Sequence, residues 1–240
     1  MQKKLDELKS RLHEVEDLNL VTALLNWDQA TYMPPGGAPA RGRQMALVSR
    51  LAHEKFIDPD IGRLLDDLRA YEESLDPGND DAALIRVTRR GYEKSVRVPP
   101  QLLSELNEHA ARSYQTWIAA RPADDFAAVE PMLEKTLDLS RRIAECFPGY
   151  EHIADPLIDF ADEGMKAETV RALFADLRAQ LVPLLREVLE QPEADDSCLH
   201  QAFPEESQRA FGEMVIRQLG YDFNRGRQDK THHPFMTKFS

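Results

Sequence analysis

Apolar residues return at three- and four-residue steps along almost the whole chain, and that single period leaves little room for anything but helices. Leu5, Leu8, Leu12, Val15 and Leu18 trace one face near the amino terminus, and Val21, Leu24 and Leu25 continue it. The stretch "MPPGGAP" (33–39) ends this helix, because consecutive prolines exclude the α-region from the residues before them. A second helix carries Met45, Val48, Leu51 and Phe56. "DPDIGRLL" opens a third, with Asp58 as N-cap and Pro59 in the first turn; Leu64, Leu65 and Leu68 form its apolar face until "DPGNDD" (76–81) breaks it. The pattern predicts further helices over 80–96, 100–121, 124–146 and 167–191, the last kinked at Pro183. A final helix, 204–219, stops at Gly220, a residue suited to a left-handed cap. Strand signals are nearly absent, and no repeat or low-complexity linker interrupts the pattern. The predicted fold is therefore all-α, a single helical domain of about eight helices spanning residues 1–240.

Length and charge bound the function classes. A domain of 240 residues buries roughly 70–75% of the surface its unfolded chain exposes, so it can hold a substantial core. Acidic residues outnumber basic ones by 42 to 30, a net charge of −12. No basic stripe is present to neutralise phosphates: "RRGYEKSVR" (89–97) and "NRGR" (224–227) are short, interrupted, and read as solvated helix faces or ends. Nucleic acid is thus not an expected partner. Nor is a membrane, since no window approaches about 20 apolar residues. The start, "MQKKLDELKSRLHEVEDL", is amphipathic and contains acids, unlike a secretory signal, so a cytoplasmic protein is expected. Cys146 and Cys198 belong to no CxxC or Cys/His cluster and are expected to be free thiols.

Motif tests remove most chemistries. GxGxxG, GxxxxGK[ST] and GxSxG are all missing. His13-Glu14 and His53-Glu54 begin like helical zinc motifs, but the position four residues after each histidine holds Asp17 or Ile57. "HIADPLIDFADEG" (152–164) gathers Asp155, Asp159 and Asp162 without the ligand spacing of a calcium loop, and reads as a rigid connection between helices. The adjacent His232 and His233 precede a proline, which favours extended chain; there the two side chains point to opposite faces and chelate one ion poorly. No metal ligand and no catalytic residue is assigned.

Three stretches taken together carry a resemblance. They are "LLNWDQATYMPPGGAPARGRQMALVSRLAHEKFIDPDIGRLL", "DFAAVEPMLEKTLDLSRR" and "FGEMVIRQLGYDFNRGRQDKTHHPF", in that order. With its WDQ…MPxG…R…Q and LAHExxxD arrangement, the chain resembles the amino-terminal half of the Taq-type family of metallocarboxypeptidases. The resemblance implies a mostly helical, groove-shaped protein, commonly a homodimer, that removes C-terminal residues from peptides with a zinc-class ion. The family's metal-binding HExxH helix, its glutamate ligand and its substrate-holding arginine follow an HPF motif, here His233-Pro234-Phe235, and have no counterpart among these residues. Trp27, Asp28 and Gln29 match the WDQ motif as structural residues; His233, Pro234 and Phe235 match the motif bordering the substrate groove. "DEGM" (162–165) departs from the family's usual E-P-G-M-like turn, and Lys238 stands where a small residue is usual.

Two functional expectations follow. In the first, the chain is the helical lid and groove wall of a metallocarboxypeptidase, inactive by itself. In the alternative, it is a naturally short, non-catalytic homologue serving as a peptide-binding or dimerisation module, whose exposed apolar surface needs a partner. Trp27 is expected to bury its indole between the first helix and the proline loop, so that Trp27→Ala costs roughly 3–5 kcal/mol. His233 is either a groove contact or a packing residue.

Overall fold

The computed structural model describes residues 1–192 and 194–239. The described residues form helices joined by turns and loops, without a strand, and the all-α expectation holds. Ten α-helices are present among them: α1 (Gln2–Thr31), α2 (Ala38–Phe56), α3 (Pro59–Asp67), α4 (Arg69–Ser74), α5 (Asp80–Ser95), α6 (Pro100–Ala120), α7 (Phe126–Glu145), α8 (Asp155–Ala161), α9 (Ala167–Leu189) and α10 (Glu205–Gln218).

The excess over eight has two local causes. The third expected helix is split at Leu68, which turns fully into the core and separates α3 from α4. The segment expected as a rigid connection holds the seven-residue α8, with Pro156 in its first turn. Asp155 is buried at the start of that helix and accepts a hydrogen bond from the His152 N–H (3.0 Å). Asp159 accepts from the Gly164 N–H (2.7 Å) and lies 2.5 Å from Lys94 Nζ. These acids are thus held in protein–protein bonds.

The punctuation works as its chemistry requires. Asp58 caps α3 by accepting from the Asp60 N–H at 2.8 Å, and Asn79 caps α5 by accepting from the Asp81 N–H at 2.9 Å. Gly220 follows α10 with φ +88°, a conformation glycine adopts without a Cβ penalty. On α3, a Cβ at Gly62 would stand 2.7 Å from the Tyr92 hydroxyl, so the missing side chain permits the close approach of α5. α9 runs through Pro183 as one continuous helix.

Contacts divide the chain into two compact units, Met1–Gly164 with Thr231–Ser240, and Met165–Lys230. The first has two apolar centres. One joins Leu5 and Leu8 of α1 to Ile61, Leu64 and Leu65 of α3, Leu68, and Ile85 of α5. The other joins Val98 and Leu102 to Leu139 of α7 and Phe147. Each such side chain contributes about 1.5–3 kcal/mol by leaving water. The apolar face of α1 stops being buried after Val15, and Val21 and Leu24 are exposed. In the second unit the apolar stripe of α9, from Leu173 and Phe174 to Val188, is exposed.

Candidate groove at the end of the first helix

Nearly the last turn of α1 holds Trp27, Asp28 and Gln29, and each does something different. Asp28 Oδ2 lies 2.6 Å from Arg41 Nη2, while Arg41 Nη1 donates to the Leu25 carbonyl at 2.5 Å. The guanidinium therefore ties α2 to α1 across the proline loop, and its positive charge sits where the α1 dipole is negative. The fork suits both acceptors at once, which a lysine could not reproduce. Trp27 is half-buried, not enclosed as expected: its ring meets Tyr32 and Phe239 edge-on, with centroids at 5.7 and 5.9 Å. Pro34, Pro35 and Gly36 of the loop "MPPGGAP" are themselves exposed.

Gln29 lines a cavity of about 530 Å³. Its walls come from α1 (Asn26, Gln29), α2 (Met45, Ser49), α6 and the segment 231–239, all within the first unit. α6 contributes Asn107, Tyr114 and Trp117, one helical stripe turned toward the cavity. The 231–239 segment is anchored where Thr231 donates from its hydroxyl to the Ala30 carbonyl (3.2 Å), and again where Phe239 meets Trp27. His233 and Phe235 thereby form one border of the cavity, and the His233 ring meets Trp117 at 6.1 Å. His233 Nδ1 lies 2.9 Å from the Pro234 carbonyl oxygen. A carbonyl only accepts, so Nδ1 is the donor in this contact.

Of the six residues singled out by sequence, Gln29, His233 and Phe235 share this cavity, Asp28 and Trp27 brace its neighbourhood, and Pro234 sets the path of the segment. Arg41, Tyr114, Trp117 and Asn107 were missed. Arg41 falls within the quoted WDQ…MPxG…R pattern, a usable signal; nothing in the α6 sequence separates its cavity-facing residues from core residues.

The shifted ionisable groups lie away from the cavity. Burial holds the His53 imidazole below its ordinary range, against the opposing effect of a hydrogen bond with the Val98 backbone. The Lys94 ammonium, then the Gly164 N–H, hold the Asp159 carboxyl below its own. Among the described residues no three His, Cys, Asp or Glu side chains gather to hold a metal ion. The donors among the described residues therefore do not fit a catalytic divalent metal. Cys146 and Cys198 are free thiols, half-buried and exposed respectively. No described helix is long and apolar enough to cross a membrane.

Known proteins share these features. Residues 7–240 match the family described as carboxypeptidase Taq (M32) metallopeptidase. Thermostable carboxypeptidase 1 of Thermus thermophilus is 35% identical over 223 residues, covering 89% of this chain and 44% of that protein. The crystal structure of an M32 carboxypeptidase from Deinococcus radiodurans R1 is 44% identical and superposes with a TM-score of 0.78, over 99% of this chain and 47% of the other. The BsuCP crystal structure, 26% identical, superposes with a TM-score of 0.92 over 99% of this chain and 48% of its own. The chain spans about half the length of the curated relatives it matches. By sequence and by helical architecture, then, this chain belongs to the carboxypeptidase Taq (M32) metallopeptidase family.

Proposed function

We propose that these 240 residues form the helical wall of a peptide-binding groove in a metallocarboxypeptidase, and that by themselves they bind peptide without hydrolysing it. One observation carries the reading. Gln29 of the WDQ stretch and His233 and Phe235 of the HPF stretch, some two hundred residues apart, border one cavity. Its volume falls within the roughly 300–1,000 Å³ typical of ligand sites.

Hydrolysis in such an enzyme needs an ion of the zinc class, which lowers the pKa of bound water from 15.7 to about 7. On this reading its ligands and a general base would come from outside these residues. What this chain contributes is binding: an apolar cavity wall, neutral amides that pair with a peptide backbone, and a histidine border. Peptides are the partners on this reading. By likeness to the family we read the protein as a homodimer, and its acidic balance favours a cytoplasmic protein without a nucleic-acid or membrane role.

The test uses the purified chain with and without added zinc. Short peptides should change its tryptophan fluorescence, since Trp117 lines the cavity, while no C-terminal amino acid is released. Metal-dependent release would refute the assignment of binding without turnover. Sedimentation velocity checks the dimer.

A further inference from the structure

The cavity has a chemical bias that the family assignment leaves open. None of its described lining residues is Asp, Glu, Lys or Arg. On the α6 side Tyr114 and Trp117 stack at 6.0 Å and 26°, and Phe235 stands on the border formed by the 231–239 segment. The indole is held in place: the Arg121 guanidinium lies 5.1 Å from its ring and the His233 ring meets it edge-on. Met45 adds a deformable apolar surface that favours aromatic rings. Asn26, Gln29 and Asn107 supply amides, which donate and accept as a peptide backbone does.

We propose that this cavity is a subsite for an aromatic or large aliphatic side chain of the bound peptide, discriminating against charged side chains. The inference rests on the peptide-groove reading and deepens it. Transfer of a charged side chain into a cavity without a counter-charge leaves that charge poorly solvated, whereas an aromatic ring gains contact with Trp117, Tyr114 and Phe235. The net charge of −12 further disfavours acidic peptides at a distance. Trp117 and Tyr114 act here as specificity residues.

The experiment is calorimetric titration of the full chain with blocked tripeptides Ac-Ala-X-Ala-NH₂, where X is Phe, Ala, Glu or Lys. Burying a phenyl ring predicts that Phe binds about 10- to 100-fold more tightly than Ala, with Glu and Lys no better than Ala. Trp117→Ala should reduce the Phe preference about tenfold or more, with circular dichroism confirming that the helices persist. Asn107→Asp, a polar change at a half-buried position, should raise Lys affinity about tenfold and lower that of Glu. Equal binding of all four peptides overturns the selectivity and leaves the groove reading intact. Binding of none overturns the groove reading and this inference with it. Retention of full Phe preference in Trp117→Ala places the subsite elsewhere and also refutes the proposal.

Discussion

Removing the Arg41 guanidinium tests whether the end of α1 is held by electrostatics or merely by packing. In Arg41→Ala, Asp28 loses its partner at 2.6 Å and the Leu25 carbonyl loses its additional donor at 2.5 Å. Hydrogen bonds to charged groups contribute about 1.5–3 kcal/mol each. Breaking a fully buried pair costs about 3–5 kcal/mol. The Arg41 side chain is only 14% exposed, but Asp28 is 35% exposed, so water compensates part of the orphaned carboxylate. The net loss should be about 2–3 kcal/mol, shifting the urea midpoint by roughly 1 M. Both tryptophans, Trp27 and Trp117, belong to the first unit, so intrinsic fluorescence follows unfolding of that unit alone. A double-mutant cycle with Asp28→Ala isolates the ion pair and should return about 1–2 kcal/mol of coupling. Arg41→Lys should recover less than half of the loss, since one ammonium cannot serve two acceptors in fork geometry. Coupling indistinguishable from zero, with full rescue by lysine, would show that the clamp is a surface ion pair of no consequence.

Trp27→Ala should destabilise the first unit by about 1.5–2.5 kcal/mol, less than a fully enclosed tryptophan, because the residue is only half-buried where it packs on Tyr32 and Phe239; thermal melting reads this directly. His53 gives a pH dependence with a definite sign. Its folded-state pKa is depressed by burial, so the unfolded chain binds the proton more readily; stability is intact above about pH 6.5 and declines as pH falls through that range. His53→Gln should flatten that slope in urea titrations at pH 5 to 7, and an unchanged slope would assign it to other groups.

Much of the scaffold can be read from one dimension because helices announce themselves locally. Leu5, Leu8, Leu64 and Leu65 recur at helical spacing and end in one apolar centre, and Asp58 and Gly220 mark boundaries through caps that involve only their neighbours. α8 stayed hidden because seven residues are too few for a period to show. The break at Leu68 stayed hidden because what turns the chain is a core position supplied by α1 and α5. The groove was half legible. Trp27, Asp28, Gln29 and the His233–Phe235 stretch came from a motif, not from physics, and Tyr114, Trp117 and Asn107 gave no signal. A residue on α6 faces cavity or core according to how α6 packs on α2, and one-dimensional periodicity does not distinguish those surroundings. The exposed α9 stripe makes the same point in reverse, for an amphipathic pattern specifies a face and not what covers it.

The attachment of Thr231 to Ala30 spans 201 positions of chain. Helices such as α1 and α2 can form as soon as they leave the ribosome, but the border carrying His233 and Phe235 is made some two hundred residues later. Closing so long a loop carries an entropic cost that the short-range helix contacts never meet. The pocket therefore cannot close until the 231–239 segment has been made, and until then a nascent chain presents its future ligand surface open along one side.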